Sequence, residues 1–248
     1  MPSGFKPVSE KITKLMNEIE NSLFENNEEI TNWTYPGATL YYKDCDLKPS
    51  VAEKFTKDQL IRNGFFLDVS ARGGGIKFNT RFLIASAKAA KLYKVNPDNE
   101  RFGHCCLNLD SYFKVLDIYK LEGKTQIFLL HIPAKSLNFF ESVTSNWDED
   151  FIKKARKSFD DKIHMEPISD LLEPFWLKRT NFPVGMDASE RFYPLTSVST
   201  ITKNEQPLYN GIKNLAKDNS DINIPTPFFS RQNRKSKERG FWKKLFGK

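Results

Sequence analysis

Residues 114–132 read KVLDIYKLEGKTQIFLLHI. Two runs rich in Val, Ile, Leu, Tyr and Phe flank Leu121-Glu122-Gly123-Lys124, and Pro133 follows. Such residues suit a pleated, half-buried surface, and a short break containing Gly turns the chain back on itself. The stretch predicts an antiparallel hairpin with strands over 114–120 and 125–132. Outward from it, 38–43 (ATLYYK), 65–70 (FFLDVS), 78–84 (FNTRFLI) and 193–201 (YPLTSVSTI) read as further strands. Helical spacing appears over 9–25, where Ser9 can cap and Ile12, Leu15, Met16, Ile19 and Leu23 share a face. Ser50 can cap a second helix carrying Val51, Phe55, Leu60 and Ile61, ended by Asn63-Gly64. Helix formers fill 86–94 (SAKAAKLYK), and helices are expected over 135–146 and over 149–159, where Phe151, Ile152, Ala155 and Phe159 align. Residues 167–194 hold four prolines and read as irregular. Short strands among helices, without regular βαβ units, predict an α+β fold: a mixed, mainly antiparallel sheet with an N-terminal helix and peripheral helices.

The 248 residues include 38 Lys+Arg and 31 Asp+Glu, a net charge of +7. Residues 231–248 carry eight of the positive charges and one negative, Glu238, so they hold the whole excess and the rest of the chain is formally neutral. A surface coated in nucleic acid is disfavoured, because such a body shows its own basic surplus. The organisation expected is a single α+β domain over 1–203, a polar linker over 204–230 and a basic amphipathic tail over 231–248. No run approaches the roughly 18 apolar residues of a membrane span, and the first residues lack the apolar region of an ordinary signal peptide. Cys45, Cys105 and Cys106 are odd in number and two are adjacent, which predicts buried free thiols in a reducing, cytoplasmic setting.

Four constellations bear on chemistry. In the tail, Phe241, Trp242, Leu245 and Phe246 fall on one helical face beside Arg234, Lys235, Lys237, Arg239, Lys243, Lys244 and Lys248. Aromatic rings entering an interface beside lysines that meet phosphates suit an anionic membrane surface, and association with one is expected. Nucleic acid ranks second as the polyanion; a disordered solubilising tail is the plain reading. Gly73-Gly74-Gly75 lets backbone N–H groups approach a phosphate, but no G-x-G-x-x-G or G-x-x-x-x-G-K-[ST] pattern surrounds it, so alone it reads as a flexible turn. His104-Cys105-Cys106, with His131 and His164, lacks the spacing of a zinc site, and no metal is expected. No G-x-S-x-G nucleophile elbow occurs.

From Thr39 to Phe140 the order of elements resembles ADP-ribosyltransferases of the poly-ADP-ribose polymerase and diphtheria-toxin type. Leu40-Tyr41-Tyr42-Lys43-Asp44 stands at their first strand, and Gln59 to Phe65 at their helix and "G-F" pair. Gly75-Ile76-Lys77-Phe78 resembles their loop, Phe82-Leu83-Ile84 the next strand, Ala87 to Tyr93 the following helix, and Gln126 to Ile132 a later strand. The resemblance implies NAD as cofactor and two facing antiparallel sheets around an open cleft. Tyr42, Phe82 and Tyr93 would wall the nicotinamide, Gly73, Gly74 and Gly75 would leave room for the phosphates, and Glu190 would stabilise an oxocarbenium-like state as the catalytic carboxylate. Tyr42 replaces the family's histidine, Lys43 the glycine after it and Phe82 the stacking tyrosine, which implies an atypical or inactive site. Two readings follow: an ADP-ribosyltransferase-like protein tethered by its tail, or a non-enzymatic interaction protein held by that tail to a membrane or another anionic assembly.

Overall fold

The computed structural model describes residues 38–142 and 149–217. The strands are β1 (Thr39–Cys45), β2 (Leu60–Asn63), β3 (Leu67–Ser70), β4 (Thr80–Ser86), β5 (His104–Leu107), β6 (Ser111–Leu121) and β7 (Lys124–Ile132). The α-helices are α1 (Pro49–Ala52), α2 (Leu137–Ser142), α3 (Glu149–Ile163), α4 (Pro174–Thr180) and α5 (Gln206–Lys217). The expected N-terminal helix over 9–25 and the tail over 231–248 lie outside the described residues.

The hairpin forms where the sequence places it. Strands β6 and β7 pair antiparallel from Tyr112↔Ile132 to Leu121↔Lys124. Glu122 and Gly123 both adopt positive φ, 49° and 74°, as a tight two-residue hairpin turn demands. The sheet runs β2-β6-β7-β4-β1-β3-β5. The β4–β7 pair is parallel and the other pairs are antiparallel, so the sheet is mixed and mainly antiparallel and the fold is α+β.

Alternation sends side chains to two cores. Tyr41, Val69, Phe82, Ile84, Cys105, Val115 and Leu129 face one side, with Val51, Phe55, Val184 and Met186 packed over them. Leu40, Leu83, Ala85, Leu116, Phe128 and Leu130 face the other, under Phe140 of α2 and Phe151 and Ala155 of α3. On α3 the expected face holds, and Phe151 meets Phe128 edge-on at 4.8 Å. All three cysteines are free and buried.

Several expected elements differ, each because a tertiary contact overrides local propensity. The second helix stops at Ala52. Leu60 to Asn63 instead form edge strand β2, since Asp58 N–H and Val115 N–H bond across to Val115 and Gln59 carbonyls and draw the segment onto β6. Residues 86–94 form only a short 3₁₀ turn at Leu92–Lys94, because fully buried Ala90 exchanges two backbone hydrogen bonds with Cys106. Over 193–201 a single bridge, Arg62↔Tyr193, replaces a strand. Arg62, 1% exposed, holds that segment through Asp110, Ser197, Ser199 and the Pro194 carbonyl. The polar stretch read as linker from 204 begins with α5, whose Ile212 packs on Ala90 and Cys106. Thr202 and Glu205 bond reciprocally ahead of it in a capping box.

Candidate functional site

Strands β1 and β3 touch through one register pair, Tyr42↔Ser70. Beyond it they part, and the chain from 164 to 182 lies over the opening. The two facing sheets implied by the resemblance are therefore not what forms: the described residues give one continuous sheet, parted at that join.

Tyr42 is the centre of the opening. Its ring packs so closely on Gly73 that a Cβ there would sit 2.4 Å from Cζ. Two cations flank the ring, the Arg81 guanidinium carbon at 5.2 Å from the centroid and Lys162 Nζ at 4.4 Å, and Nζ also donates to the Tyr42 hydroxyl at 3.0 Å. Arg81, 2% exposed, grips both oxygens of Asp44 at 2.7 and 2.6 Å and donates to the Gly74 and Gly75 carbonyls. A buried guanidinium thus fixes the glycine loop, and its charge is answered by a carboxylate. Gly75 N–H in turn donates to the Glu166 carbonyl at 3.1 Å. Tyr42, Asp44, Ser70, Ile168, Leu172 and Trp176 line what space remains, about 20 Å³. That is room for one water molecule.

A second cluster adjoins it. Asp68 accepts from His104 Nε2 at 2.6 Å and pairs with Arg179 Nη2 at 2.9 Å. Burial alone would raise the Asp68 pKa, but the hydrogen bond and charge of His104 and the charge of Arg179 outweigh it and hold the carboxyl below its ordinary value. Trp176 stacks on Phe102 at 5.3 Å and meets His104 edge-on. Lys43 donates to the Thr180 carbonyl and sits 3.9 Å over the Phe182 ring. Burial pushes its ammonium down to about 8, against the pull of Cys45, Asp68 and Asp44. Burial, then the Asp68 charge, drives the Cys106 thiol beside this cluster well above the ordinary thiol range, which disfavours the thiolate. Burial likewise moves Cys45 to about 11 and Cys105 to about 12.

Of the residues singled out in the sequence, Tyr42 and Gly73 to Gly75 are brought together. Phe82 is not among them. Its chain neighbour Leu83 pairs with Tyr42 and shares its face, so Phe82 points to the opposite face, fully buried against Phe55 at 5.5 Å. Tyr93 packs against that same far core. Glu190 sits on a surface turn at φ 59°, paired with Lys48 Nζ at 2.6 Å, while Lys54 holds its carbonyl. Arg234, Lys235, Lys237, Arg239, Phe241, Trp242, Lys243, Lys244 and Phe246 lie outside the described residues. Asp44, Asp68, Arg81, Trp176 and Arg179 were not singled out as site residues in the sequence, and His104 was weighed there only as a metal ligand. The one signal for the strand residues was a charged side chain inside an otherwise apolar strand, as in FLDVS and NTRFLI.

A dinucleotide does not fit this arrangement. Small-molecule sites run to roughly 300 Å³ or more, and the cleft keeps about 20 Å³. A larger groove of about 380 Å³ lies beside the hairpin tip, lined by Leu47, Glu53, Asn79 and Lys124. Among the described residues no His, Cys, Asp and Glu group suits a metal ion, and no helix is long and apolar enough to cross a membrane.

No protein-family model and no curated protein matches the sequence. Over part of its length the chain is similar to solved bacterial ADP-ribosyltransferases and effectors. The type III effector XopAI from Xanthomonas axonopodis is 14% identical over 41% of this chain and 46% of its own, at a TM-score of 0.34. The ADP-ribosyltransferase HopU1 of Pseudomonas syringae is 17% identical over 38% of this chain and 45% of its own, at 0.34. Exoenzyme S from Pseudomonas aeruginosa, bound to carba-NAD, is 12% identical over 57% of this chain and 66% of its own, at 0.36. The match spans less than half the length of the first two.

Proposed function

We propose that the chain is an ADP-ribosyltransferase-like protein of atypical, non-catalytic kind that acts by binding, with its basic tail as the attachment. The observation that carries this is the dispersal of the expected machinery. Tyr42 and the glycine loop adjoin one cleft, Phe82 is sealed in the opposite core, and Glu190 is on the surface bonded to Lys48. Two carboxylates at and beside the cleft, Asp44 and Asp68, are already committed to Arg81 and to His104 with Arg179. Neither of these is left to stabilise a cationic sugar centre.

Purified full-length protein is expected to release no nicotinamide from NAD⁺ above the buffer rate, whether wild type or Glu190→Gln. Hydrolysis by the wild type that falls in Glu190→Gln would overturn the non-catalytic reading. The attachment rests on the charge partition, with the whole excess of +7 in residues 231–248 beside Phe241, Trp242, Leu245 and Phe246. Vesicles containing anionic lipid are expected to sediment the full chain, less so as salt rises, because exposed charges are screened within about 8 Å at physiological ionic strength. Equal sedimentation of a chain ending at Ser230 would refute the tail's role, and capture by RNA in preference to vesicles would replace lipid with nucleic acid.

A further inference from the structure

The misfit between cleft and dinucleotide has a structural cause, the segment laid over the opening. Ile163 at the end of α3 and Trp176 in α4 are buried, yet no residue from 164 to 175 between them is. The segment hangs between two anchors. Beneath it are polar groups, Ser70 at 1% and Arg81 at 2% exposure, together with Tyr42. The apolar contact it makes there is through half-buried Ile168, Leu171 and Leu172.

What fastens it is mostly charge at the surface. Arg72 Nη1 pairs with Asp170 at 3.1 Å, with side chains 42% and 29% exposed. Arg101 pairs with Glu173 and reaches Asp170 at 4.0 Å, and Arg72 donates to the Arg101 carbonyl, joining the two arginines into one seat. One backbone bond, Gly75 N–H to Glu166, adds to the attachment, with His164 Nε2 3.5 Å from Glu122 at one end and the exposed Phe175 ring 5.8 Å from Phe102 at the other. Arg72 immediately precedes the three glycines, so the seat and the loop that touches Tyr42 are one piece of chain. Exposed ion pairs hold weakly and are screened by salt, and a segment with no buried side chain opens at low cost without the rest of the fold.

We infer that residues 164–175 are a releasable cover, fastened by Asp170 and Glu173 onto Arg72 and Arg101, and that its release opens the Tyr42 cleft to a ligand. This goes beyond the proposed function, which assigns the cleft no ligand. Opening withdraws the Glu166 carbonyl from Gly75 N–H and bares the Tyr42 ring with Lys162 and Ser70 beside it. The acidic residues of the cover neutralise the two arginines while it is closed, so release also turns the rim cationic.

Hydrogen exchange on the full chain tests the cover without any ligand. In the Asp170→Asn, Glu173→Gln double variant, peptides over 164–175 and the Gly75 amide are expected to exchange roughly tenfold faster, with β4 and β7 unchanged. Unchanged exchange over 164–175 overturns the proposal, and so does an acceleration shared by β4 and β7, which would mark general destabilisation. Wild-type protein supplies a second measurement that needs no folded variant. Raising sodium chloride from 50 to 500 mM (concentrations of about these values) is expected to accelerate 164–175 selectively, and salt-insensitive exchange there overturns the fastening. NAD⁺ titrated onto the opened variant separates the two readings. Uptake by the variant and not by wild type supports a covered ligand cleft, whereas a cover that opens without NAD⁺ uptake rejects the dinucleotide and leaves the cover standing.

Discussion

Replacing Gly75 by alanine puts the contact between loop and cover to a direct steric test. An added Cβ would lie 1.8 Å from the Met165 carbonyl oxygen and 2.7 Å from the Glu166 carbonyl carbon, both backbone atoms. Ordinary contact begins near 3.4 Å, so the covering chain must retreat by roughly 1.5 Å. At that distance the 3.1 Å bond from Gly75 N–H to Glu166 no longer forms. The lost bond is worth about 1 kcal/mol, and overpacking strain brings the total to about 1–3 kcal/mol. The loss is capped by whatever the cover contributes, because the segment detaches before the sheet yields. Urea unfolding gives the total, and hydrogen exchange at 164–175 shows where it falls. Gly211→Ala is the matched control. Its Cβ meets nothing within 4 Å inside α5, so it is expected to stabilise by about 0.5–1 kcal/mol. A Gly75→Ala protein with wild-type midpoint and wild-type exchange over 164–175 would refute the closed contact on which the cover rests.

Other outcomes follow from the same contacts. Phe82→Ala is expected to cost about 3–5 kcal/mol in urea unfolding, because the ring is fully buried beside Phe55, and a midpoint shift below 1 kcal/mol would contradict its place in the core. Arg62→Leu leaves Asp110 facing Ser199 without its cation and is expected to cost about 3–5 kcal/mol, with faster proteolysis near residues 193–199 as the local readout. His131 is buried with Nδ1 2.7 Å from Ser86 Oγ, and burial, then the charge of Lys88, pushes it down to about 3. The folded state therefore binds fewer protons than the unfolded state between about pH 3 and 6.5, and stability falls as pH drops through that window by up to ~1.4 kcal/mol per unit. Unfolding midpoints from pH 6.5 to 4 are expected to fall less steeply in His131→Gln than in wild type.

The hairpin and the central strands were legible because each carries its own signal. Residues 114–132 alternate around a Gly-bearing turn, and on 149–159 the apolar residues recur at helical spacing. What misled was propensity read without partners. Ala87, Ala89 and Ala90 are good helix formers, but their small size is used to bring backbone against backbone at Cys106. Leu60 and Ile61 continue a helical spacing from Val51 that the sheet edge interrupts. The Thr202-Lys203-Asn204-Glu205 pattern, by contrast, did announce α5, but its polar surroundings masked it. At the candidate site, Tyr42 and the glycine loop stood out by type. The charges around them did not, because Asp44 with Arg81 and Asp68 with Arg179 are pairs that exist only across strands or between sheet and helix.

The join between β1 and β3 divides the sheet mechanically. On one side is a five-strand plate, β2-β6-β7-β4-β1; on the other a two-strand plate, β3-β5. Their strands meet in one register pair, and side chains of both pack into one core on the far face. Helix α4 and the residues at its end reach both plates, with the Thr180 carbonyl held by Lys43 of β1 and Arg179 held by Asp68 of β3. A seven-residue helix thus bridges the two plates beside the opening over Tyr42. Substitution at α4 is expected to change the shape of the cleft from outside it, as a brace acts across a joint.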